Sequence, residues 1–188
     1  MRFGKRSSAV LGLVLSLVML CTGCSSNWIT VALKDLPVLT QMALNIASLV
    51  SVVKTDQPVS AQETTAIDAI SAECGKDLGL LETLISDYQK SPTSDTLQKI
   101  DAAIGDLNSN VPALLTAAHI KDAVLASKVS AAISIILLTV NTFAVLMPTV
   151  STSGAVTEIH PAAAKALRLP GVKELKQSWA VKVGTPLT

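Results

Sequence analysis

The sequence predicts an all-α protein, an antiparallel bundle of about four helices followed by a C-terminal tail of short helix and extended chain. Three observations point there. Aromatic residues make up only 3% of the 188 residues whereas hydrophobic residues reach 49%, a balance that suits helix packed on helix better than a sheet. Apolar positions recur at steps of three and four through two long stretches, from Ile67 to Tyr88 and from Leu97 to Leu114. Helix-start signals at Ser60, Ser91 and Asp122 then divide the chain into segments of similar length.

The first element is a leader. Arg2, Lys5 and Arg6 give a basic start, Ala9 to Leu20 form an uncharged apolar stretch too short to span a bilayer, and small residues follow up to Cys24. The ending Thr22-Gly23-Cys24, followed by Ser25-Ser26, resembles the lipobox of bacterial lipoproteins. The resemblance covers only the first 27 or so residues. Cys21 stands where that family most often has leucine, three places before the cysteine; taking Cys21 itself as acceptor would put bulky Leu20 at the cleavage position. What the resemblance implies is removal of residues 1–23, a diacylglycerol on the Cys24 thiol and an acylated amino group, hence a protein of the bacterial cell envelope held to a membrane by acyl chains. Ser25, where proteobacterial members retained at the inner membrane have aspartate, implies the outer membrane facing the periplasm. Two other outcomes stay open: ordinary signal cleavage at the same bond, with Cys21 and Gly23 as the small residues, and an uncleaved anchor.

Cleavage leaves 12 basic residues against 14 acidic, a balance that gives no sign of a nucleic-acid protein. The charge is uneven. Residues 24–154 hold 7 lysines against 12 acids, whereas residues 155–188 hold Lys165, Arg168, Lys173, Lys176 and Lys182 against Glu158 and Glu174. With Cys21 removed and Cys24 modified, Cys74 has no partner for an internal disulfide, so the core alone must hold the domain.

Residues 24–36 serve as lipidated anchor and tether, or as the start of the first helix, with Trp28 placed either among lipid headgroups or at a bundle end. The bundle proper is expected over residues 37–148. Pro37 to Val53 carry no charge and place Gln41, Asn45 and Ser48 on one thin polar stripe, with a kink near Pro37 if residues 27–36 are also helical. Ser60-Ala61-Gln62-Glu63 fits the capping box and opens a second helix, whose apolar face is Ile67, Ile70, Cys74, Leu78, Leu81, Ile85 and Tyr88. Glu63, Asp68, Glu73, Asp77, Glu82 and Asp87 scatter around that helix and read as its solvated surface. Ser91 as cap with Pro92 in the first turn opens a third helix, bent near Pro112 and weakened by Gly105. Asp122 caps a fourth that runs to Met147, with Ser127, Ser130, Ser134 and Asn141 near one stripe. Residues 129–147 are also about long enough to cross a bilayer. Residues 149–188 read as a loop to 160, a short helix from Pro161 to Leu167, another from Val172 to Trp179 and an extended end.

Signatures of catalysis are sparse. There is no phosphate-binding glycine loop, no nucleophile elbow and no zinc-protease motif; Ser51-Val52-Val53-Lys54 matches S-x-x-K but lacks companion motifs. His119 and His160 stand apart and read as a helix-end and a loop residue. The expectation is therefore a non-enzymatic envelope protein with no metal and no cofactor, acting by binding or scaffolding, and Cys24 is its one predicted modification site. Envelope proteins, anionic lipid and cell-wall polymer are the candidate partners, the last two through the basic tail. A bundle that shelters a lipid, and a protein that inserts residues 129–147 into membranes, are the alternative functions.

Overall fold

A computed structural model describes residues 26–55, 57–150, 156–157, 169–185 and 187. Among them the chain forms helices α1 (Ser26–Val52), α2 (Ala61–Lys90), α3 (Ser94–Ala117), α4 (Ala123–Leu146) and α5 (Val172–Lys182). Short strands β1 (Thr149–Val150) and β2 (Val156–Thr157) pair antiparallel, Thr149 opposite Thr157, inside what the sequence suggested was a plain loop. The all-α bundle is the architecture observed. Neighbours in sequence pack on one another from α1 to α4, α4 returns to α1, and α5 lies on α1 and α4.

The first helix starts eleven residues before Pro37, at Ser26, because the 3–4 spacing of core positions already begins at Trp28, Ile29, Ala32 and Leu36, all buried. Trp28 belongs to the bundle, its ring 6.1 Å from that of Tyr88 at the end of α2 and tilted by 33°. Pro37 and Pro112 both sit inside helices that continue past them, each leaving the carbonyl four residues earlier without its helical donor. The polar stripe of α1 is satisfied within the helix: Asn45 Nδ2 donates to the Gln41 carbonyl at 2.8 Å and the Ser48 hydroxyl to that of Asn45 at 2.7 Å.

In α2 every residue of the expected apolar face is buried, as are Leu97, Ile100, Ile104, Leu107 and Val111 of α3. The most extensive helix pair is α1 with α2. Small residues of α2 face it there: the Ser71 hydroxyl donates to the Ala43 carbonyl of α1 at 2.8 Å, and one turn on Gly75 lies against Leu44. The third helix begins later than expected. Pro92 keeps Ser91 out of helical conformation, so Ser91 ends α2, its amide bonded to the Asp87 carbonyl, and Thr93 is the cap, accepting from the Thr96 amide at 3.1 Å. Asp122 caps α4 as expected, its carboxylate accepting from the Leu125 amide at 2.8 Å.

The fourth helix buries Leu125, Val129, Ile136, Val140 and Phe143 and turns Ser127, Ser130, Ser134 and Asn141 outward together with Leu138 and Val145. Asn141 closes the seam to α3 through a two-way amide pair with Asn108, at 2.7 and 3.1 Å. The C-terminal helix runs to Lys182, three residues past the expected end, and stops on Gly184, whose φ of 76° is the left-handed conformation glycine adopts freely. Leu175, Trp179 and Val183 of this segment are buried, while Lys173, Lys176 and Lys182 point outward. Helix α5 thus docks by an apolar face on α1 and α4. The helix expected over 161–167 lies outside the described residues.

Candidate functional site

Cys24, the expected lipidation site, and His160 lie outside the described residues. The other residues with chemical potential do not converge. Cys74 is fully buried in the middle of α2, and desolvation, with a smaller contribution from Asp77, pushes its thiol up to about 12. A thiol so held stays protonated and unreactive at neutral pH. Ser51 spends its hydroxyl on the Ser48 carbonyl at 2.9 Å, at the exposed end of α1. His119 is exposed in the turn between α3 and α4, where its φ of 44° makes it a non-glycine residue in left-handed conformation. Among the described residues no three His, Cys, Asp or Glu side chains group as a metal site requires.

Two carboxylates assigned to the solvated surface of α2 are in fact buried, Glu63 at 7% and Asp77 at 8% exposure. Glu63 does more than complete the capping box. One carboxylate oxygen accepts from the Ser60 amide at 2.9 Å and hydroxyl at 2.6 Å, and the other accepts from the amide of Lys121 in the α3–α4 turn at 2.8 Å. These hydrogen bonds favour the ionised form and hold the carboxyl down at about 2, the Lys121 bond contributing most. Asp77 is shifted the other way, upward, first by desolvation and then by Glu73. Asp68 and Asp87 do lie on the exposed surface.

A third buried carboxylate was not anticipated. Asp35 in α1 is 1% exposed beneath α5, and its Oδ2 has no hydrogen-bond partner. Desolvation, then the nearby Glu174 carboxylate, raise it to about 6, against a smaller opposing effect of Lys34. The sequence holds a signal for it, since Trp28, Ala32, Asp35 and Leu39 continue one helical face through Pro37. With residues 24–36 left open as tether or helix, Asp35 was not placed on that face.

Fold and side chains together define a class, the helical bundles with an apolar centre and structural carboxylates at the helix ends and under the last helix. Beyond the class, the chain matches no known protein family, no curated protein and no solved structure.

Proposed function

We propose that this is a cell-envelope protein held to a membrane by acyl chains on Cys24, with its bundle acting as a binding or scaffolding module and without enzymatic chemistry. The observation that carries this reading is the position of α1, which begins at Ser26, two residues after Cys24. Two residues of chain reach at most ~7 Å, so an acylated Cys24 leaves no spacer between lipid and bundle. The end bearing Trp28, Tyr88 and Ser91 then sits against the headgroups, and α1, 27 residues long, lifts the opposite turns up to ~40 Å away. Two or three acyl chains suffice for stable anchorage, at ~0.8 kcal/mol per buried methylene. The residue after the cysteine, Ser25, favours the outer membrane with the bundle in the periplasm. The outward Lys173, Lys176 and Lys182 suit anionic lipid or cell-wall polymer as a further partner, an attraction that salt weakens.

The test is the mass of the mature protein from a bacterial host, together with its partition into detergent. An acylated N-terminus at Cys24, lost with release of the protein from membranes in Cys24→Ser, is expected; a mature chain beginning at Cys24 without acyl groups overturns the reading. A second reading, insertion of residues 129–147 into a bilayer, draws on α1 from Trp28 to Val52 and on α4, both long and apolar enough to cross a membrane by length and composition. It also draws on the outward Leu138 (68% exposed) and Val145. In that case the protein releases a trapped dye from vesicles.

A further inference from the structure

The contact between α5 and the rest of the bundle is built from two unlike parts. Along most of its length α5 is held by Leu175, Trp179 and Val183, and at its C-terminal end the Lys128 ammonium of α4 donates to the Val183 carbonyl. At its N-terminal end the match fails. Asp35 of α1 is buried there with Oδ2 unpartnered, and the charge that α5 brings near it is a second carboxylate, Glu174. Of the helices packed on α1, only α5 brings a charge that acts appreciably on Asp35; α2 and α4 contribute none among the described residues, and Lys34 of α1 itself gives a smaller, opposing effect. Glu174 is tied to its own helix start, accepting from the Gly171 amide at 3.2 Å.

We propose that α5 is a pH-operated clasp, docked on the seam between α1 and α4 while Asp35 carries its proton and loosened when Asp35 ionises beside the Glu174 carboxylate. A protonated Asp35 is neutral and donates a hydrogen bond, so it tolerates both burial and the neighbouring carboxylate. An ionised Asp35 is desolvated and repelled at once, and lifting α5 relieves both. The sign follows from linkage. Burial raises the Asp35 carboxyl from 3.8 to about 6 in the docked form, so docking is strongest at low pH and is lost progressively as pH rises through 6. The docking equilibrium changes by at most about 100-fold across that window, the limit reached if lifting α5 frees Asp35 completely. Trp179, fully buried under the clasp, reports its state.

The experiment follows hydrogen exchange of α5 (Val172–Lys182) in the full chain between pH 4.5 and 7.5, corrected for the intrinsic pH dependence of exchange, with α2 as internal reference. Acrylamide quenching of Trp179 in a Trp28→Phe background gives an independent readout. Protection of α5 is expected to fall at least tenfold as pH rises from 4.5 to just above 6, and to level off beyond, while that of α2 holds. Asp35→Asn should keep α5 docked at every pH, and Glu174→Gln, at an exposed position, should move the midpoint to lower pH without disturbing the fold. A flat profile in the unmodified protein, an unchanged profile in Asp35→Asn, or a midpoint unmoved in Glu174→Gln each overturns the proposal.

Discussion

Glu63 and Asp35 give the protein a pH response with two limbs of opposite sign. The Glu63 carboxyl is held at about 2 in the fold against an ordinary 4.5, so the stability it contributes is complete above the ordinary value and disappears as pH falls toward 2. Asp35 is raised, so the folded state holds its proton more tightly than the unfolded chain and stability declines as pH climbs from 3.8 through about 6. Between the limbs the protein should be most stable, near pH 4 to 5. Melting temperatures measured across pH 2 to 8 check this: Glu63→Gln should flatten the acid limb and Asp35→Asn the neutral one. A maximum above pH 7 would contradict the Asp35 assignment, and stability that does not fall between pH 4 and 2 the Glu63 one. The sequence displayed the capping role of Glu63 through Ser60, three residues before it. Its second bond, to Lys121, was invisible because it joins residues 58 apart whose approach depends on how α3 and α4 meet.

At the level of elements, legibility followed the strength of the apolar period. In α2 and α3 the spacing alone identified the buried faces, since polar residues fill the other positions and leave one way to turn each helix. In α1 and α4 most positions are apolar, and the weak polar stripes were the remaining guide: that of α4 faces outward, whereas Asn45 of α1 is buried and satisfied by its own helix. Boundaries were hardest to read where prolines act: at Pro37 the sequence left two starts open and the helix contains the proline, and at Pro92 the cap moved from Ser91 to Thr93. Glycine offers a direct test of the packing. A methyl group added at Gly79, well inside α2, meets no atom within 4 Å, and at Gly75 it meets only Leu44 at an ordinary 3.6 Å. Gly79→Ala should therefore stabilise the protein by about 0.5–1 kcal/mol through helix propensity alone. Chemical denaturation measures it, and a loss of stability would mean that another chain surface approaches Gly79.

For the whole molecule, the bundle gives each of the two apolar helices a partner along one side, with 44% of each candidate span buried. A chain beginning at Ser25, free of the anchor, should stay in solution without detergent and unfold cooperatively, with circular dichroism dominated by helix. Recovery only in detergent, with residues 129–147 protected by lipid, would favour the inserted form. The expected leader, which lies outside the described residues, was legible only as a pattern of charge, apolar length and small residues. The role of the mature domain was not, since its buried carboxylates and its docked tail arise from contacts among helices far apart in sequence.

The order in which those contacts close has a kinetic side. Helices α1, α2 and α3 meet neighbours that follow directly in the chain, whereas α4 and α5 must return to α1 across the intervening helices. Closing the longer loops costs more entropy before any contact rewards it. The α1–α2 hairpin, joined by Ser71 to the Ala43 carbonyl, is thus the natural nucleus, and α5 is the last piece to dock and the first to leave. A lesion in the first hairpin slows folding, one under Trp179 hastens unfolding, and the clasp can open many times without unravelling the helices beneath it.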